Sequence, residues 1–366
     1  MKERKTLTRY VGIDLGKRTY EMAVVGKGGK VTKSNGKTYP FARQGLYNKL
    51  RPGDKVALEA CSLAFIMAKE IESAVRCKVY VLNPGRLSII YKSMKKTDKE
   101  DALKLAHILE DFSEERLPVV AVPSDKEMER RKILANYRRT DRDRTRNINL
   151  LHALFVSQGI TTVKKKDLET GEDRKESINE LTGMERDEAE YIVESLDLIE
   201  ARKDKLDRMI NKEAANNEEM KWLQEVPGVG PKVAFAFVSH VGAARFENAS
   251  QLSNYLGLVP MVYMSGDTVR YGPITKRGNS YVRAMLVQAA WSMVRAKKGG
   301  KLKEMFEYMT VEKSKGKQKA IVAVARRIAE LLYLLMRDEV RYESRPFTSP
   351  EKKKEAEKIA QLALSA

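Results

Sequence analysis

The stretch Tyr10-Val-Gly-Ile-Asp14-Leu-Gly-Lys-Arg-Thr-Tyr20, continued by Glu21-Met-Ala-Val-Val25, constrains the fold more than any other part of the chain. Val11 and Ile13 are apolar and β-branched at alternate positions, and the extended pattern resumes at Glu21. The stretch therefore reads as a buried strand, a turn and a second strand. Asp14 ends the first run. A carboxylate at the end of a buried strand costs desolvation energy unless something pairs with it. Two readings stand at this point: a turn-capping Asp ahead of Gly16, or a metal ligand.

The segments that follow decide between them. Lys27-Gly-Gly-Lys30 is a turn and Val31-Thr-Lys a third strand. Pro40 to Leu50 reads as a short helix, broken by Pro52-Gly53-Asp54. Lys55-Val-Ala-Leu58-Glu59 is an apolar strand that also ends in a carboxylate. Leu63 to Val75 is a helix with an apolar face, and Lys78-Val-Tyr-Val-Leu82 is a strand closed by Asn83-Pro84. A helix begins over Leu87 to Tyr91, and a clearer one runs from Asp98 to Asp111. Three strands followed by alternation predict a mixed α/β sheet flanked by helices over residues 1–123. If the strands ending in Asp14 and Glu59 are neighbours, both carboxylates reach one sheet edge. Asp98 and Asp101 lie three residues apart, on one face of a helix start. The plain alternative is an N-cap at Asp98 with Asp101 as its box partner. Clustered without basic partners, four carboxylates repel one another. An oxygen-only set of this kind suits Mg²⁺ or Mn²⁺, and two such ions about 4 Å apart stabilise both the attacking and the leaving oxygen of a phosphodiester.

The charge balance names the partner class. The 366 residues include 69 Lys and Arg against 50 Asp and Glu, a formal net charge of +19. Such a field favours nucleic acid or an anionic membrane surface. No apolar run approaches the roughly 20 residues needed to span a bilayer, and Met1-Lys-Glu-Arg-Lys5 leads into the strand without the apolar core of a signal peptide. Nucleic acid is therefore the expected partner and the membrane is not. Cys61 and Cys77 lack metal-ligand spacing, and His107, His152 and His240 are scattered, which argues against zinc and for a reducing cytoplasm.

At these residues the sequence resembles a known family. Val11-Gly-Ile-Asp14, Leu58-Glu59-Ala60 and Thr97-Asp98-Lys-Glu-Asp101-Ala-Leu-Lys-Leu-Ala106 are similar to the DEDD catalytic domain of bacterial insertion-sequence transposases. The resemblance implies a ribonuclease-H-like, RuvC-like fold, with Asp14, Glu59, Asp98 and Asp101 as Mg²⁺ ligands. Actin-like sugar kinases and chaperones share the opening Gly-x-Asp-x-Gly hairpin. Their second phosphate hairpin and adenosine motif do not appear downstream, and their frame does not call for +19.

The middle of the chain, 124–221, reads as a helical coiled-coil spacer. Ser124 and Glu127 make a capping box for a helix running to about Ser157. It carries Arg130-Arg-Lys and then Arg138, Arg139, Arg142, Arg144 and Arg146. Interleaved aspartates make part of this a self-paired face; the functional alternative is backbone contact to nucleic acid through Arg138, Arg139 and Arg142. Lys164 to Arg174 reads as a polar loop, and Glu176 to about Glu225 as a second long helix with Ile192, Leu196, Leu198, Ile199, Leu206, Met209 and Ile210 on its apolar stripe. Two such helices form an antiparallel arm and a dimer contact. The resembling family has a coiled-coil region at the same place.

The last domain, 222–345, is expected to be mainly α. Val226-Pro-Gly228-Val-Gly230-Pro-Lys232-Val-Ala234 carries a helix-hairpin-helix signature, in which amides at a helix N-terminus grip a phosphate; an ordinary helix-loop-helix turn is the alternative. Tyr255-Leu-Gly-Leu-Val-Pro260, Ser265-Gly266 and Ile274-Thr-Lys276-Arg277-Gly-Asn279, followed by the helix of Arg283-Ala-Met-Leu286, closely resemble the C-terminal domain of the same transposases, the bridge-RNA-guided recombinases. By that resemblance Ser265 is the nucleophile. On its own a Ser-Gly pair marks a turn, and a serine hydroxyl needs a base or a metal to activate it. Lys276, Arg277 and Arg283 are phosphate clamps by charge alone. The basic loop 313–319 precedes an apolar-faced helix over Ile321 to Met336, and 346–366 reads as a tail, with Glu351 to the end either a peripheral helix or a mobile stretch.

The expectation is a transposase or recombinase that cuts and rejoins donor and target DNA through a phosphoserine link, with Mg²⁺ as cofactor (Mn²⁺ as substitute). Strand exchange takes at least two active sites, which implies a homodimer or homotetramer. The resemblance adds a structured guide RNA as partner. Two other classes stay open. A Holliday-junction nuclease would use the same carboxylates with water, and a noncatalytic nucleic-acid-binding protein would tolerate Asp14→Asn.

Overall fold

The computed structural model describes residues 9–90, 98–242, 246–266, 268–297 and 299–343. The chain divides into two compact units, Met1–Ser124 and Asp125–Ala366. Tyr91, Asp267 and the expected tail at 346–366 lie outside the described residues.

In the first unit, β1 (Tyr10–Leu15), β2 (Thr19–Val25), β3 (Val31–Lys37), β4 (Lys55–Glu59) and β5 (Lys78–Leu82) form one mixed sheet in the order β3-β2-β1-β4-β5. β2 runs antiparallel to β1 and β3, whereas β4 is parallel to β1 and β5. Four of the five strands therefore end at the same edge. The helices are α1 (Gln44–Tyr47), α2 (Ala64–Val75), α3 (Pro84–Ile90) and α4 (Asp98–Asp111).

Strand alternation sorts the two faces. Val11, Ile13, Val56, Leu58, Val79 and Val81 pack under Leu46 of α1 and Ala64, Met67, Ala68 and Ile71 of α2. Ala57, Tyr80 and Leu82 face the other way, against Leu105, Ile108 and Leu109 of α4. Gly12 shares this second face and lets α4 lie directly on β1. A Cβ at Gly12 would stand 2.0 Å from the Ala102 carbonyl oxygen and 2.5 Å from the Ala106 amide. Only the absence of a side chain on the strand and the small alanines on the helix permit this approach.

The second unit opens with α5 (Asp125–Ser157), α6 (Gly171–Ser177) and α7 (Gly183–Asn216). Ion pairs Arg130–Glu213, Asp141–Lys203 and Arg144–Glu200 run in opposite sequence directions, so α5 and α7 are antiparallel. Ile148, Leu151 and Phe155 meet Ala189, Ile192, Val193 and Leu196 at one end of the pair; Leu134 and Tyr137 meet Leu206, Ile210 and Ala214 at the other. Next come α8 (Glu218–Gln224), α9 (Pro231–His240), α10 (Ala249–Tyr255), the two-stranded ribbon β6 (Pro260–Ser265) and β7 (Thr268–Ile274), α11 (Ser280–Arg295), α12 (Gly300–Glu307) and α13 (Lys317–Asp338). Phe235, Phe237, Leu286, Met293, Ile328 and Tyr333 anchor one core under these helices. Among the described residues no helix is long and apolar enough to cross a membrane.

Several expectations need correction. Pro40 to Leu50 is a 3₁₀ turn, Pro40–Ala42, followed by one turn of α1. The expected loop at 164–174 holds a 3₁₀ turn and α6, and Arg174 is fully buried with its guanidinium on Glu200 at 2.6 Å. The ion pair offsets the desolvation of a charge that composition alone assigned to solvent. The stretch from Glu176 to Glu225 is not one helix. Gly183 takes a positive φ of 63° at the start of α7, and the Asn217 side chain accepts from the Met220 amide, capping α8 as a separate helix. On α7, Leu198 and Met209 of the expected stripe are exposed. The ribbon β6–β7 was not anticipated, although alternating Met261-Val-Tyr-Met264 and Thr268-Val-Arg-Tyr271 around Gly266-Asp267 fit a hairpin pattern.

Candidate active site

The ladder between β1 and β4 fixes the first half of the site. Its last pairs are Gly12 with Ala57 and Ile13 with Leu58. One residue further, the same register sets Asp14 beside Glu59, and strand alternation turns both toward the face that Gly12 opens to α4. Asp98 is the first residue of α4, with Glu100 and Asp101 also in its first turn. The N-cap position before it lies outside the described residues.

Electrostatics tie the four carboxylates together. The half-buried Asp14 has its pKa raised from the usual carboxylate range to about 6. Burial is the largest cause, followed by the negative charges of Asp98, Asp101 and Glu59. A hydrogen bond from the Leu15 amide acts in the other direction. Two cations temper the cluster. Lys104 Nζ donates to Asp101 Oδ1 at 2.6 Å, and Lys33 reaches Glu100 at 3.1 Å. The expectation of carboxylates without basic partners therefore fails at Asp101. Among the described residues no three acidic, histidine or cysteine side chains are drawn close enough to hold an ion as they stand. Asp14 feels the charge of the other three, which disfavours its ionised form.

Ser265 belongs to the second unit. It is the last residue of β6, paired with Thr268 across the tight turn at Gly266, whose φ is +55°. Ser265 is exposed, as are Val262, Tyr263, Met264 and Tyr271 around it. Among the described residues its hydroxyl has no hydrogen-bond partner.

The root of the ribbon is rigid. The Thr275 amide donates to the Val259 carbonyl and the Lys276 amide to the Gly257 carbonyl. Gly278 adopts φ +73°, and a Cβ there would stand 2.0 Å from the Tyr255 carbonyl oxygen. Asn279 then caps α11 by accepting from the Tyr281 and Val282 amides, while its amide nitrogen lies 3.2 Å from the His240 ring. Burial, and after it the charge of Arg131, lowers the His240 pKa to about 4. The Lys-Arg-Gly-Asn run is thus a lock between two loops and a helix cap. Lys276 and Arg277 remain exposed, with Lys276 itself at φ +53°. Arg283 Nη1 donates to the carbonyls of Leu256 at 3.0 Å and Arg277 at 2.5 Å, which braces the same lock.

At the helix-hairpin-helix, Pro231 opens α9, and among the described residues the amides of Gly230 and Lys232 have no backbone partner. Gly228 is pressed against α11, where a Cβ would meet the Ala289 carbonyl oxygen at 2.4 Å. Lys232 is paired with Asp207 at 2.7 Å and with the Tyr137 hydroxyl at 2.8 Å. The arginines of α5 divide in two. Arg130 and Arg144 are bound to Glu213 and Glu200, and Arg138 lies over the Tyr281 ring at 5.7 Å. Arg139, Arg142 and Arg146 are exposed without a partner among the described residues. Sequence reasoning missed Gly12, Lys104 and the pairing of Asn279 with His240. Gly12 could have been found from the match of a strand glycine with the Ala102/Ala106 spacing.

Strand-end Asp14 beside Glu59, with the acidic first turn of α4 charged against it, is the edge at which the sequence resembles a DEDD domain. Comparison with known proteins gives the class, a transposase, an enzyme that cuts and rejoins DNA. A DEDD transposase family model of the IS110 type matches residues 11–158, and a model described as the transposase IS116/IS110/IS902 family matches residues 220–306. The chain belongs to the IS110 family of transposases. A probable family 20 transposase of Pseudomonas aeruginosa is 28% identical over 301 residues, covering 78% of this chain and 84% of the relative. The putative transposase y4rJ of Sinorhizobium fredii is 26% identical over 296 residues, 73% of this chain and 72% of the relative. The transposase for insertion sequence element IS1328 of Yersinia enterocolitica is 26% identical over 294 residues, covering 76% and 82%.

Proposed function

We propose that this transposase cuts DNA through a serine–phosphate intermediate, with Ser265 as nucleophile and Asp14, Glu59, Asp98 and Asp101 as the residues that hold Mg²⁺ or Mn²⁺. The observation that carries the metal half is the pKa of Asp14, raised to about 6 in part by the other three carboxylates. An oxygen-only set whose members penalise one another's charge fits a hard divalent cation. Bound there, such an ion would supply charge stabilisation at the phosphodiester oxygens. Lys104, on Asp101 in its absence, is the cation that would yield to it.

In the covalent step Ser265 Oγ forms a bond to phosphorus as the bond from phosphorus to one sugar oxygen breaks. The serine loses a proton and the departing oxygen gains one. Attack by a sugar hydroxyl of another strand reverses the balance and frees the serine, so no high-energy cofactor is consumed. The exposed position of Ser265 at a ribbon tip supports a nucleophile delivered to a phosphate rather than one activated by its own neighbours. Lys276 and Arg277 beside the ribbon root, the open amides at the start of α9, and Arg139 and Arg142 on α5 are the groups proposed to bind backbone phosphates.

The antiparallel β1–β2–β3 with two parallel strands supports a RuvC-like first domain. The antiparallel α5–α7 pair supports an arm between it and a C-terminal domain beginning near 222. Guidance by an element-encoded RNA and assembly as a homodimer or homotetramer complete the reading. A second reading, hydrolysis by water at the same carboxylates, draws on the exposed Ser265 hydroxyl, which has no hydrogen-bond partner among the described residues. Trapping separates the two. The protein, with co-purified RNA and Mg²⁺, is incubated with labelled DNA and denatured. A protein–DNA adduct lost in both Ser265→Ala and Asp14→Asn is the expected result. Cleavage that persists in Ser265→Ala without an adduct would establish the hydrolytic reading, and an adduct surviving that change would sink the serine.

A further inference from the structure

The carboxyl edge of the sheet carries a second feature that the chemistry above does not use. Just past β3, Tyr39 and Phe41 stack on each other, with ring centroids 5.6 Å apart and planes 15° from parallel. Phe41 is 86% exposed. A large ring so exposed contributes nothing to the core, and its outer face is free.

The segment is held firmly. The buried Thr38 donates its hydroxyl to the Lys17 carbonyl at 3.1 Å and its amide to the Arg18 carbonyl at 3.1 Å. Arg43 Nε donates to the Thr38 carbonyl at 3.0 Å, while Arg43 Nη1 holds Glu70 at 2.6 Å. Pro40, between Tyr39 and Phe41 in sequence, opens the 3₁₀ turn. These bonds dock the aromatic pair against the turn that follows Asp14. The surroundings are cationic. Lys17, Arg18 and Lys37 are exposed, and among the described residues their side chains have no partner. β3 runs in the same direction as β1 and stands two strands away, about 10 Å at ordinary sheet spacing. The register sets Asn35 across from Asp14 through Glu21, so the rings lie several residues further along that edge, and a run of several unpaired nucleotides would reach from them to the carboxylates.

Exposed rings flanked by unpaired cations favour a ligand with a π-face and a negative backbone. That combination describes an unpaired nucleotide better than a protein surface or a duplex, whose bases are already stacked. We infer that Tyr39 and Phe41 form a stacking platform for an unpaired nucleotide of the DNA strand presented to the carboxylate edge, with neighbouring phosphates on Lys17, Arg18 and Lys37. The platform rests on the nuclease reading of that edge for its choice of DNA over RNA. It adds a means of holding a strand that has left its duplex.

The test uses the full chain and a labelled oligothymidylate carrying 5-iododeoxyuridine, with a duplex of the same length as control. Phe41→Ala is expected to weaken single-strand binding roughly tenfold, to leave duplex binding unchanged, and to abolish a photo-cross-link that maps to Tyr39 or Phe41. Phe41→Tyr should restore both. Lys17→Ala should instead lower the slope of log affinity against log salt by ~0.7, the loss of one phosphate contact. Full single-strand affinity in Phe41→Ala with cross-links elsewhere overturns the platform, and so does equal weakening on duplex. A loss confined to oligouridylate overturns the assignment to DNA. Binding and cross-linking are scored apart from cleavage. Normal cleavage by Asp14→Asn would defeat the nuclease reading, while the loss of the cross-link in Phe41→Ala is read independently of it.

Discussion

The carboxylate edge of the first unit and the ribbon of the second are alike at the root and opposite at the tip. Both stand on a close approach that only glycine allows, Gly12 under α4 and Gly278 under Tyr255. At the tips they part. Asp14 is half-buried among like charges and carries an electrostatic cost into the folded state. Ser265 is exposed, and no neighbour among the described residues pays toward its reactivity. In the proposed reading, the first region stores part of the binding energy for a cation in its own fold. The second offers a reach and a hydroxyl, and draws its chemistry from whatever it meets.

The comparison breaks first at Gly12. Gly12→Ala puts a methyl group 2.0 Å from backbone oxygen on α4, where no flexible side chain can move aside. A cost of about 3 kcal/mol is expected, or roughly 10 °C in the melting temperature of the first unit. The same lift carries Asp98 and Asp101 away from Asp14, so the elevated Asp14 titration should relax toward the ordinary range. A Gly12→Ala protein with an unchanged melt would show that α4 is not seated by that contact.

Gly278→Ala tests the other root. A positive φ of 73° and a 2.0 Å contact with the Tyr255 carbonyl oxygen both oppose a side chain. The expected cost is about 2 kcal/mol, read by chemical denaturation with probes in the second unit. The cap at Asn279 should loosen with it, and protection of the first α11 amides from hydrogen exchange should fall.

Much of this was legible in the residues themselves. The alternation of Val11 and Ile13 and the apolar run before Glu59 gave two buried strands, and both carboxylates at strand ends followed. Helix α4 was found from Asp98 to Asp111 because its apolar spacing and acidic first turn agree. What stayed hidden depends on through-space partners. Arg174 looked like a loop residue because charge is normally solvated, and Glu200 and Asp197, on another helix, make its burial tolerable. Leu198 and Met209 looked like core because helical spacing does not say how wide the covered stripe is. The ribbon was passed over because its strands expose apolar side chains on a small two-stranded sheet, a pattern that resembles neither a core strand nor a helix. Arg283 was read by its charge alone, and a sequence does not show the two carbonyls to which its Nη1 also donates.

Asp14→Asn should stabilise the first unit. At neutral pH the carboxylate is ionised in both states, and its pKa is about 6 folded against 3.8 as the ordinary value. The folded state therefore binds more protons between those limits, and stability falls as pH rises from about 4 to 6. A shift of that size corresponds to about 3 kcal/mol; solvent screening of a partly exposed group reduces the expectation to about 1–2 kcal/mol. Wild type and variant should melt alike below pH 4 and diverge up to pH 6, with the variant the more stable. Added Mg²⁺ should close the gap by raising the wild type alone. A variant less stable than wild type at pH 7 would mean that the carboxylates are not strained.

Ser265→Ala carries the smallest expected effect on stability, and that smallness is the point of the comparison. The hydroxyl is exposed, has no partner among the described residues, and sits where the ladder pairs backbone to backbone with Thr268. Alanine keeps that pairing, so the change in stability should stay within about 0.5 kcal/mol, with no dependence on pH between 4 and 8. Thermal melts and denaturant midpoints should overlay the wild type. A serine whose removal costs more than 1 kcal/mol is braced by contacts inside the second unit, and its hydroxyl would then have a structural task that competes with attack on phosphorus. A serine whose removal leaves the melt untouched while the covalent adduct disappears is one kept free of its own fold, as a nucleophile that works on a metal site built elsewhere should be.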